Sequence, residues 1–201
     1  MYNTLLLASS SASRKILLTE AKIPFKVIKQ TADESEVDHS MPFEQLVIAI
    51  AQHKMNHAEL PEGKEGDVIF VLTADTMGQD SNGVVHGKPK DRADAIVKIE
   101  GLTDPHTTAT GFCLEKKLFK DGLWHTEKAI KKVVAANSCF LIPDNWIERY
   151  LEHSWGLKCS SAIAIEGYGE QFLDVVNGSY TTIKGLPMFQ LRQALEEMGF
   201  Y

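Results

Sequence analysis

The chain has 201 residues, a length that suits one domain or two small lobes, and its 44% hydrophobic and 24% charged residues are ordinary for a soluble globular protein. A formal net charge of −6 argues against a general nucleic-acid coat protein, although a few local basic groups are enough to bind phosphates. Three cysteines, Cys113, Cys139 and Cys159, form no CxxC pair, which excludes a zinc ribbon or a disulfide framework.

Hydrophobic periodicity and turn residues predict helices and strands that alternate along the chain. The predicted strands span residues 3–8, 25–28 and 68–74, the last a continuous apolar run typical of a strand buried on both faces. The predicted helices span residues 13–22, 43–60, 91–102, 143–153 and 187–198. Hairpin turns are predicted at Asn82-Gly83, at Asp121-Gly122 within a long hairpin over 107–141, and at Asn177-Gly178 within a hairpin over 172–183. A mixed α/β fold follows.

Two properties of the sequence bear on location. The first residues, MYNTLLLASSSASRK, carry no basic region before their short apolar stretch, so we expect no signal peptide. No run approaches the ~20 apolar residues that a membrane span needs. We therefore expect a cytoplasmic protein without a membrane partner.

The segment after the first predicted strand has the layout of an anion site. The strand leads through Ser9, Ser11 and Ser13 into a helix, so backbone N–H groups and the positive end of the helix dipole face one spot. The serine hydroxyls and Arg14 add further donors. The same layout also fits simple N-capping of a surface helix, and a Walker loop is excluded because no GxxxxGK[ST] is present.

A carboxylate and a cation are predicted to meet at the end of the apolar strand. Asp75 follows that strand, where α/β proteins place their sites, and is a candidate base, metal ligand or turn cap. A two-residue turn at Asn82-Gly83 would place Lys88 opposite about Met77, close to Asp75 and Thr76. The alternative is a plain surface ion pair.

Lys54 lies in the middle of an apolar helical stripe, so it either extends to water or points into a cleft and meets an anion. His53 and His57 have the spacing of two metal ligands on a helix. Their segment, HKMNH, lacks the glutamate of HExxH, which disfavours a zinc protease.

Two further segments are candidate binding elements. The acidic loop 31–40, which includes Glu34 and Glu36, is either solvated or a site for a hard cation such as Mg²⁺. In the segment 165–169, IEGYG, the glycines would let a ligand approach the backbone, and Glu166 would contact a base edge or a metal.

Together these segments resemble the Maf family of nucleotide pyrophosphatases over nearly the whole chain. The matching segments, in chain order, are 9–14 for S-x-S-P-x-R, 33–34 for D-[ED], Lys54 for A-x-x-K-A, 74–76 for A-D-T, 87–91 for G-K-P-x-[DS], 165–169 for I-[QE]-G-x-G and 177–187 for N-G-S-Y-x-x-[VI]-x-G-L-P. The ordered series is specific, although no single motif is.

The resemblance implies an enzyme that hydrolyses a nucleoside triphosphate to the monophosphate and diphosphate and clears non-standard nucleotides. It also implies a divalent cation, Mg²⁺ or Mn²⁺, and a homodimer. The implied fold is a single Maf-like domain over residues 1–201, an α/β structure whose mixed, elongated sheet is flanked by helices in two lobes around a cleft. A non-catalytic, nucleotide-binding regulator of septum formation is the alternative function.

The resemblance also implies roles for single residues. Asp75 would be the proton acceptor, with Lys54 and Lys88 as catalytic cations. Substrate-binding roles fall to Ser9, Ser11, Arg14 and Glu34, and metal-binding roles to Asp75 and Glu34. The charge of a triphosphate requires such neutralisation, and no serine or cysteine nucleophile with a base is evident.

Three positions that separate the family's subgroups disagree about the base. Thr76 is similar to the subgroup that acts on dTTP and UTP, whereas Glu166 is similar to the subgroup that acts on 7-methyl-GTP. Ser13 matches neither subgroup, and Ala12 replaces a usual proline. Because a carboxylate accepts hydrogen bonds from a guanine-type N–H edge, Glu166 favours a methylated purine or a broad substrate range.

Overall fold

The computed structural model describes residues 3–102 and 105–201, and within them the chain forms seven strands and six α-helices. The strands are β1 (Leu5–Leu7), β2 (Phe25–Val27), β3 (Val68–Gln79), β4 (Val85–His86), β5 (His106–Lys120), β6 (Leu123–Phe140) and β7 (Leu173–Asn177). The helices are α1 (Ala12–Glu20), α2 (Phe43–Asn56), α3 (Arg92–Glu100), α4 (Asp144–His153), α5 (Tyr180–Ile183) and α6 (Met188–Glu197). Short 3-10 helices span Glu34–Glu36, Gly156–Lys158, Ser160–Ala162 and Gly167–Phe172. Among the described residues, no helix has the length and apolar character needed to cross a membrane.

The strands form one mixed sheet in the order β2-β1-β3-β5-β6-β7, with β4 paired to β3. β1 is parallel to both β2 and β3, whereas β4 and β7 pair antiparallel with β3 and β6. In β1 and β3, Leu5 pairs with Phe70 and Leu7 with Leu72, and all four side chains are buried. The predicted mixed α/β class is therefore confirmed.

The chain divides into two compact units, in agreement with the expected two lobes. Unit 1 comprises residues 1–75, 111–133 and 185–201. The larger of its two hydrophobic cores is built mainly from leucine side chains of β1 and α6 together with Phe70 and Phe112. The expected cleft, and a single domain over 1–201, stay predictions.

Unit 2 comprises residues 76–110 and 134–184 and has an aromatic core of its own. Tyr150 is fully buried there, and its hydroxyl donates to the carbonyl of Ala162 at 3.0 Å and accepts from the N–H of Ala164 at 2.7 Å. These two bonds attach α4 to the segment that leads to Glu166.

The predicted turns have three different outcomes. Asp121-Gly122 forms the expected two-residue connection between β5 and β6, with φ values of 52° and 80°. Asn82-Gly83 also connects a hairpin, but the N–H of Asp80 donates to the carbonyl of Val84, which leaves a three-residue loop. The resulting pairing of Gly78 with His86 differs by one residue from the expected register.

The predicted hairpin over 172–183 is wrong, because β7 is followed by α5. Gly178 has a φ of 114°, and a Cβ atom there would lie 2.9 Å from the Cβ of Ala136. This glycine therefore permits close packing against β6 rather than a return turn. Helix α2 also ends earlier than expected, at Asn56, because Ala58 pairs with Gln30 in an antiparallel bridge.

Candidate active site

Lys54 and Asp75 form a buried ion pair in unit 1. The Nζ atom of Lys54 donates to the Oδ1 atom of Asp75 at 2.6 Å, and the two residues are only 8% and 7% exposed. Helix α2 is attached to β3 beside them, since the hydroxyl of Thr73 donates to the carbonyl of Ala51 at 2.8 Å. Of the two alternatives for Lys54, the inward orientation is the one observed.

A second carboxylate contacts the same ammonium group. The Oε1 atom of Glu34 lies 2.8 Å from Lys54 Nζ, while about half of the Glu34 side chain is exposed. Glu34 begins a 3-10 helix, which is capped by the Asp33 carboxylate accepting from the N–H of Ser35 at 2.9 Å. One ammonium group therefore lies within 3 Å of two carboxylate oxygens, one buried and one half-exposed.

The serine loop and Arg14 form the other part of the site in unit 1. The guanidinium of Arg14 donates from Nη1 to the hydroxyl oxygen of Ser9 at 3.1 Å and from Nε to the carbonyl of Gly185 at 2.8 Å. Ser11 caps α1 by accepting from the N–H of Arg14 at 3.4 Å, and Ser13 lies in the first turn of the helix. The first turn of α1 contains no acidic residue, so the positive end of the helix dipole is not neutralised within the helix itself.

Arg14 is linked electrostatically to the carboxylate pair. Burial lowers the pKa of its guanidinium from the ordinary value, and the negative charges of Asp75 and Glu34 oppose that shift. Arginine stays protonated under these conditions, so its positive charge is retained. Unit 1 thus brings together Ser9, Arg14, Glu34, Lys54 and Asp75.

Unit 2 contains the other predicted residues, starting with Thr76. The hydroxyl of Thr110 donates to the carbonyl of Thr182 at 2.7 Å, so its contact with the Thr76 hydroxyl at 2.9 Å has Thr76 as the donor. The hydroxyl of Ser160 donates to the carbonyl of Thr76 at 2.9 Å. Sequence reasoning missed these partners, which are distant in the chain and carry no pattern of their own.

The charges of Lys88 and Glu166 act with opposite sign on one thiol in unit 2, that of Cys159. Burial raises the pKa of Cys159 to about 12; Glu166 adds to the shift and Lys88 opposes it. Continued along both strands, the observed β3–β4 register would place Lys88 opposite Thr76 and not Met77. The carbonyl of Gly87, next to Lys88, accepts from the N–H of Ser161 at 3.2 Å.

The other buried thiol is also protonated, because burial raises the pKa of Cys113 to about 12. Neither Cys113 nor Cys159 is therefore a thiolate near neutral pH, which disfavours these two cysteines as nucleophiles. Water attack is the chemistry that remains compatible with the paired carboxylates and cations of unit 1.

The carboxylates of unit 1 suit a hard divalent cation. Asp75 and Glu34 both bind one ammonium ion, so their oxygens already converge on a positive charge. Carboxylate oxygens are the ligands that Mg²⁺ and Mn²⁺ prefer. The donor chemistry therefore fits the ion that the sequence resemblance implies.

Comparison with known proteins identifies the family. The model of the family described as Maf-like protein matches residues 4–198 of the chain. The chain belongs to this family. It is similar to a dTTP/UTP pyrophosphatase of Hydrogenovibrio crunogenus, with 30% identity over 100% of this chain and 99% of the relative.

Two further relatives also match nearly the whole chain. A dTTP/UTP pyrophosphatase of Geotalea uraniireducens is 31% identical over 98% of this chain and 96% of its own length. A nucleoside triphosphate pyrophosphatase of Prochlorococcus marinus is 29% identical over 95% of this chain and 97% of its own length. All three names are those of enzymes, so these relatives give no support to a non-catalytic regulator of septum formation.

Proposed function

We propose that this Maf-like protein is a nucleoside triphosphate pyrophosphatase, which converts a free nucleoside triphosphate and water into the nucleoside monophosphate and diphosphate. The observation that carries the proposal is the buried contact of Lys54 with Asp75 and Glu34, next to Arg14 at the start of α1. The names of full-length relatives agree with it.

The charges of unit 1 explain how a triphosphate would be bound. Lysine and arginine are rarely buried unless they are paired, and here both Lys54 and Arg14 are at least nine-tenths buried. Such fixed cations stabilise the charge that builds up on phosphate oxygens during hydrolysis. We assign Ser9, Ser11 and the N-terminus of α1 to phosphate binding. The family resemblance implies a phosphate-binding role for Lys88 as well.

Asp75 is the proposed general base. Water attacks the α-phosphorus, its proton passes to the Asp75 carboxylate, and the bond from that phosphorus to the bridging oxygen breaks to release diphosphate. Lys54 holds the Asp75 carboxylate in place through the 2.6 Å contact. No covalent intermediate is required, in line with the protonated Cys113 and Cys159.

Asp75 and Glu34 would also hold the divalent cation. When bound, Mg²⁺ or Mn²⁺ supplies positive charge that neutralises the triphosphate. Lys54 balances the same carboxylates when the ion is absent.

We propose dTTP and UTP as the preferred substrates, because two relatives that match nearly the whole chain are named dTTP/UTP pyrophosphatases. Thr76 agrees with this choice by resemblance, whereas Glu166 predicts 7-methyl-GTP. If Glu166 selects the base, Glu166→Gln changes the order of substrate preference, since an amide donates as well as accepts hydrogen bonds. An unchanged order would remove Glu166 from selection.

Pyrophosphate release from a nucleotide panel with Mg²⁺ or Mn²⁺ tests the proposal. The panel holds the canonical triphosphates and 7-methyl-GTP, and products are separated so that monophosphate and diphosphate are counted. We expect one diphosphate per monophosphate, with dTTP and UTP turned over fastest. Absence of turnover on every nucleotide, or release of orthophosphate instead, would contradict the proposal.

The remaining expectations stay predictions. They are the homodimer, the cytoplasmic location, the absence of a nucleic-acid partner and the clearing of non-standard nucleotides.

A further inference from the structure

Three potential metal ligands lie together at the end of α2, outside the proposed nucleotide site. One ligand atom from each of Glu36, His53 and His57 lies within 4.8 Å of the others. His53 and His57 are one helical turn apart, and their ring centroids are 4.4 Å apart with a tilt of 55°. Glu36 comes from the 3-10 helix Glu34–Glu36, so two separate elements supply the three groups.

The Nε2 atom of His53 is the observation that points to an ion. It is inaccessible to solvent and has no hydrogen-bond partner among the described residues, although buried polar atoms usually have one. It lies 3.4 Å from the Oε2 atom of Glu36. Two ligands bound tetrahedrally at the usual ~2.05 Å are about 3.3 Å apart, so this separation suits one ion between them.

His57 is prepared for the same role by a hydrogen bond to the backbone. Its Nδ1 atom lies 2.9 Å from the carbonyl of His53, and since a carbonyl only accepts, Nδ1 carries the proton. In the neutral tautomer with this bond, Nε2 is the nitrogen that carries the lone pair and can act as a ligand. A hydrogen bond of this kind from the second ring nitrogen is what fixes metal-binding histidines in other sites.

We propose that Glu36, His53 and His57 bind a divalent transition-metal ion such as Zn²⁺ or Co²⁺. Two imidazoles and one carboxylate suit these ions, whereas Mg²⁺ prefers an all-oxygen set such as Asp75 and Glu34. Glu36 and His57 are exposed, which gives the ion a path of entry and leaves positions for water. The missing glutamate of HExxH disfavours a zinc protease, but that glutamate is a catalytic base and not a ligand, so the two histidines can bind a metal without it.

The ion would connect the 3-10 helix to α2 beside the nucleotide site. Glu34 lies in the same turn as Glu36, and Lys54 directly follows His53. A metal bond between Glu36 and His53 therefore holds the backbone that carries Glu34 close to Lys54. The site is structural, and its existence does not depend on the proposed pyrophosphatase activity.

Titration of the full chain with Co²⁺, read by visible absorption and by thermal unfolding, tests the proposal. With excess Mg²⁺ present to fill the proposed Asp75 and Glu34 site, we expect one Co²⁺ per chain, d–d absorption without thiolate-to-cobalt charge transfer, and a melting temperature that rises with Co²⁺ concentration. His53→Gln, His57→Gln and Glu36→Gln should each weaken binding at least about tenfold. His125→Gln, an exposed histidine of the same unit outside the cluster, is the matched control and should bind like the wild type.

Once Mg²⁺ fills the Asp75 and Glu34 site, a further increase in Mg²⁺ concentration should leave the Co²⁺ spectrum unchanged. Three results would each overturn the proposal: wild-type affinity in the cluster variants, displacement of Co²⁺ by Mg²⁺, or charge-transfer absorption that places the ion on a cysteine. Pyrophosphate release is not a readout here, so failure of the metal site and failure of the proposed function are separate results.

Discussion

Lys54 shows how one buried residue depends on its partners. An ammonium group loses its hydration when it is buried, and only opposite charge at short range offsets that loss. Asp75 and Glu34 provide it at 2.6 and 2.8 Å. The position of Lys54 on an apolar stripe could be read from the sequence, but its partners could not, because they come from segments about 20 residues away on either side.

Lys54→Met keeps the bulk of the side chain and removes its charge. The buried Asp75 carboxylate then lacks its ion pair, and we expect the free energy of unfolding to fall by about 3–5 kcal/mol. Urea denaturation measures it. Lys29→Met is the control, since its contact with Glu59 is exposed on both sides and should contribute no more than about 1 kcal/mol. Equal effects of the two variants would show that the Lys54 contact is not a buried pair.

His106 makes unit 2 sensitive to acid. Burial lowers the pKa of this histidine from 6.5 to about 4, and its Nε2 atom lies 3.2 Å from the hydroxyl of Ser161. Between those two pH values the unfolded chain binds a proton that the folded chain does not. The free energy of unfolding therefore falls as the pH decreases through this range, by up to about 3 kcal/mol.

Urea denaturation from pH 7 to pH 4 tests this effect in the wild type and in His106→Gln. The variant should lose less stability over the range, because it has no imidazole to protonate at this position. Parallel curves for the two proteins would mean that His106 does not titrate as its burial predicts.

The position of Lys54 depends on how closely helix α2 packs on the sheet. Gly111 of β5 faces the helix, and a Cβ atom there would lie 3.0 Å from the Cα of Ile48. The nearest atoms to that Cβ position are backbone atoms of α2, which cannot relieve the contact by a change of rotamer. Helix α2 therefore needs glycine at this position of β5.

Gly111→Ala should move α2 away from β5 and with it Lys54. We expect a loss of about 1–3 kcal/mol in stability, the usual effect of overpacking, and a lower rate of pyrophosphate release. Gly87→Ala is the control for stability, because a Cβ atom at Gly87 meets nothing within 4 Å. Wild-type stability of Gly111→Ala in urea would contradict the close packing.

The turns show which elements could be predicted from the sequence. Asp121-Gly122 was predictable because both residues favour positive φ and the flanking strands are long. The hairpin at Asn82-Gly83 was predicted correctly, but its register was wrong by one residue. The Asp80 carboxylate accepts from the N–H groups of Asn82 and Val84, and the loop is therefore one residue longer than predicted. The hairpin predicted at Asn177-Gly178 is wrong, because Gly178 is needed for close packing against Ala136. Ala136 lies 42 residues earlier in the chain, so no local pattern indicates this contact.

The residues of the sequence motifs are divided between the two units of the chain. Ser9, Arg14, Glu34, Lys54 and Asp75 belong to unit 1, and Thr76, Lys88 and Glu166 belong to unit 2. The division falls between Asp75 and Thr76, two consecutive residues of β3. The order of these motifs allowed the family and fold class to be predicted from the sequence.

The detailed contacts of the site could not be predicted in the same way. The carbonyl of Gly185 accepts from Arg14 across 171 positions of the chain, and Thr110 accepts from Thr76 across 34. Such contacts follow from the packing of whole elements, not from any local pattern. For Gly185, the sequence indicated a functional role, because this residue belongs to the G-L-P segment of the family's tail motif.

The proposed mechanism depends most on the Asp75 carboxylate, which accepts the proton of the attacking water. Asp75→Asn keeps the shape of the side chain, and Glu34 still pairs with Lys54, so the variant should fold. The deciding measurement is the rate of pyrophosphate release from dTTP and UTP with Mg²⁺, in Asp75→Asn against the exposed control Asp174→Asn. We expect wild-type turnover in the control and turnover at least about a hundredfold lower in Asp75→Asn, the usual minimum effect of removing a general base. Near-wild-type turnover in folded Asp75→Asn would contradict it and move the proton transfer to Glu34 or Glu166.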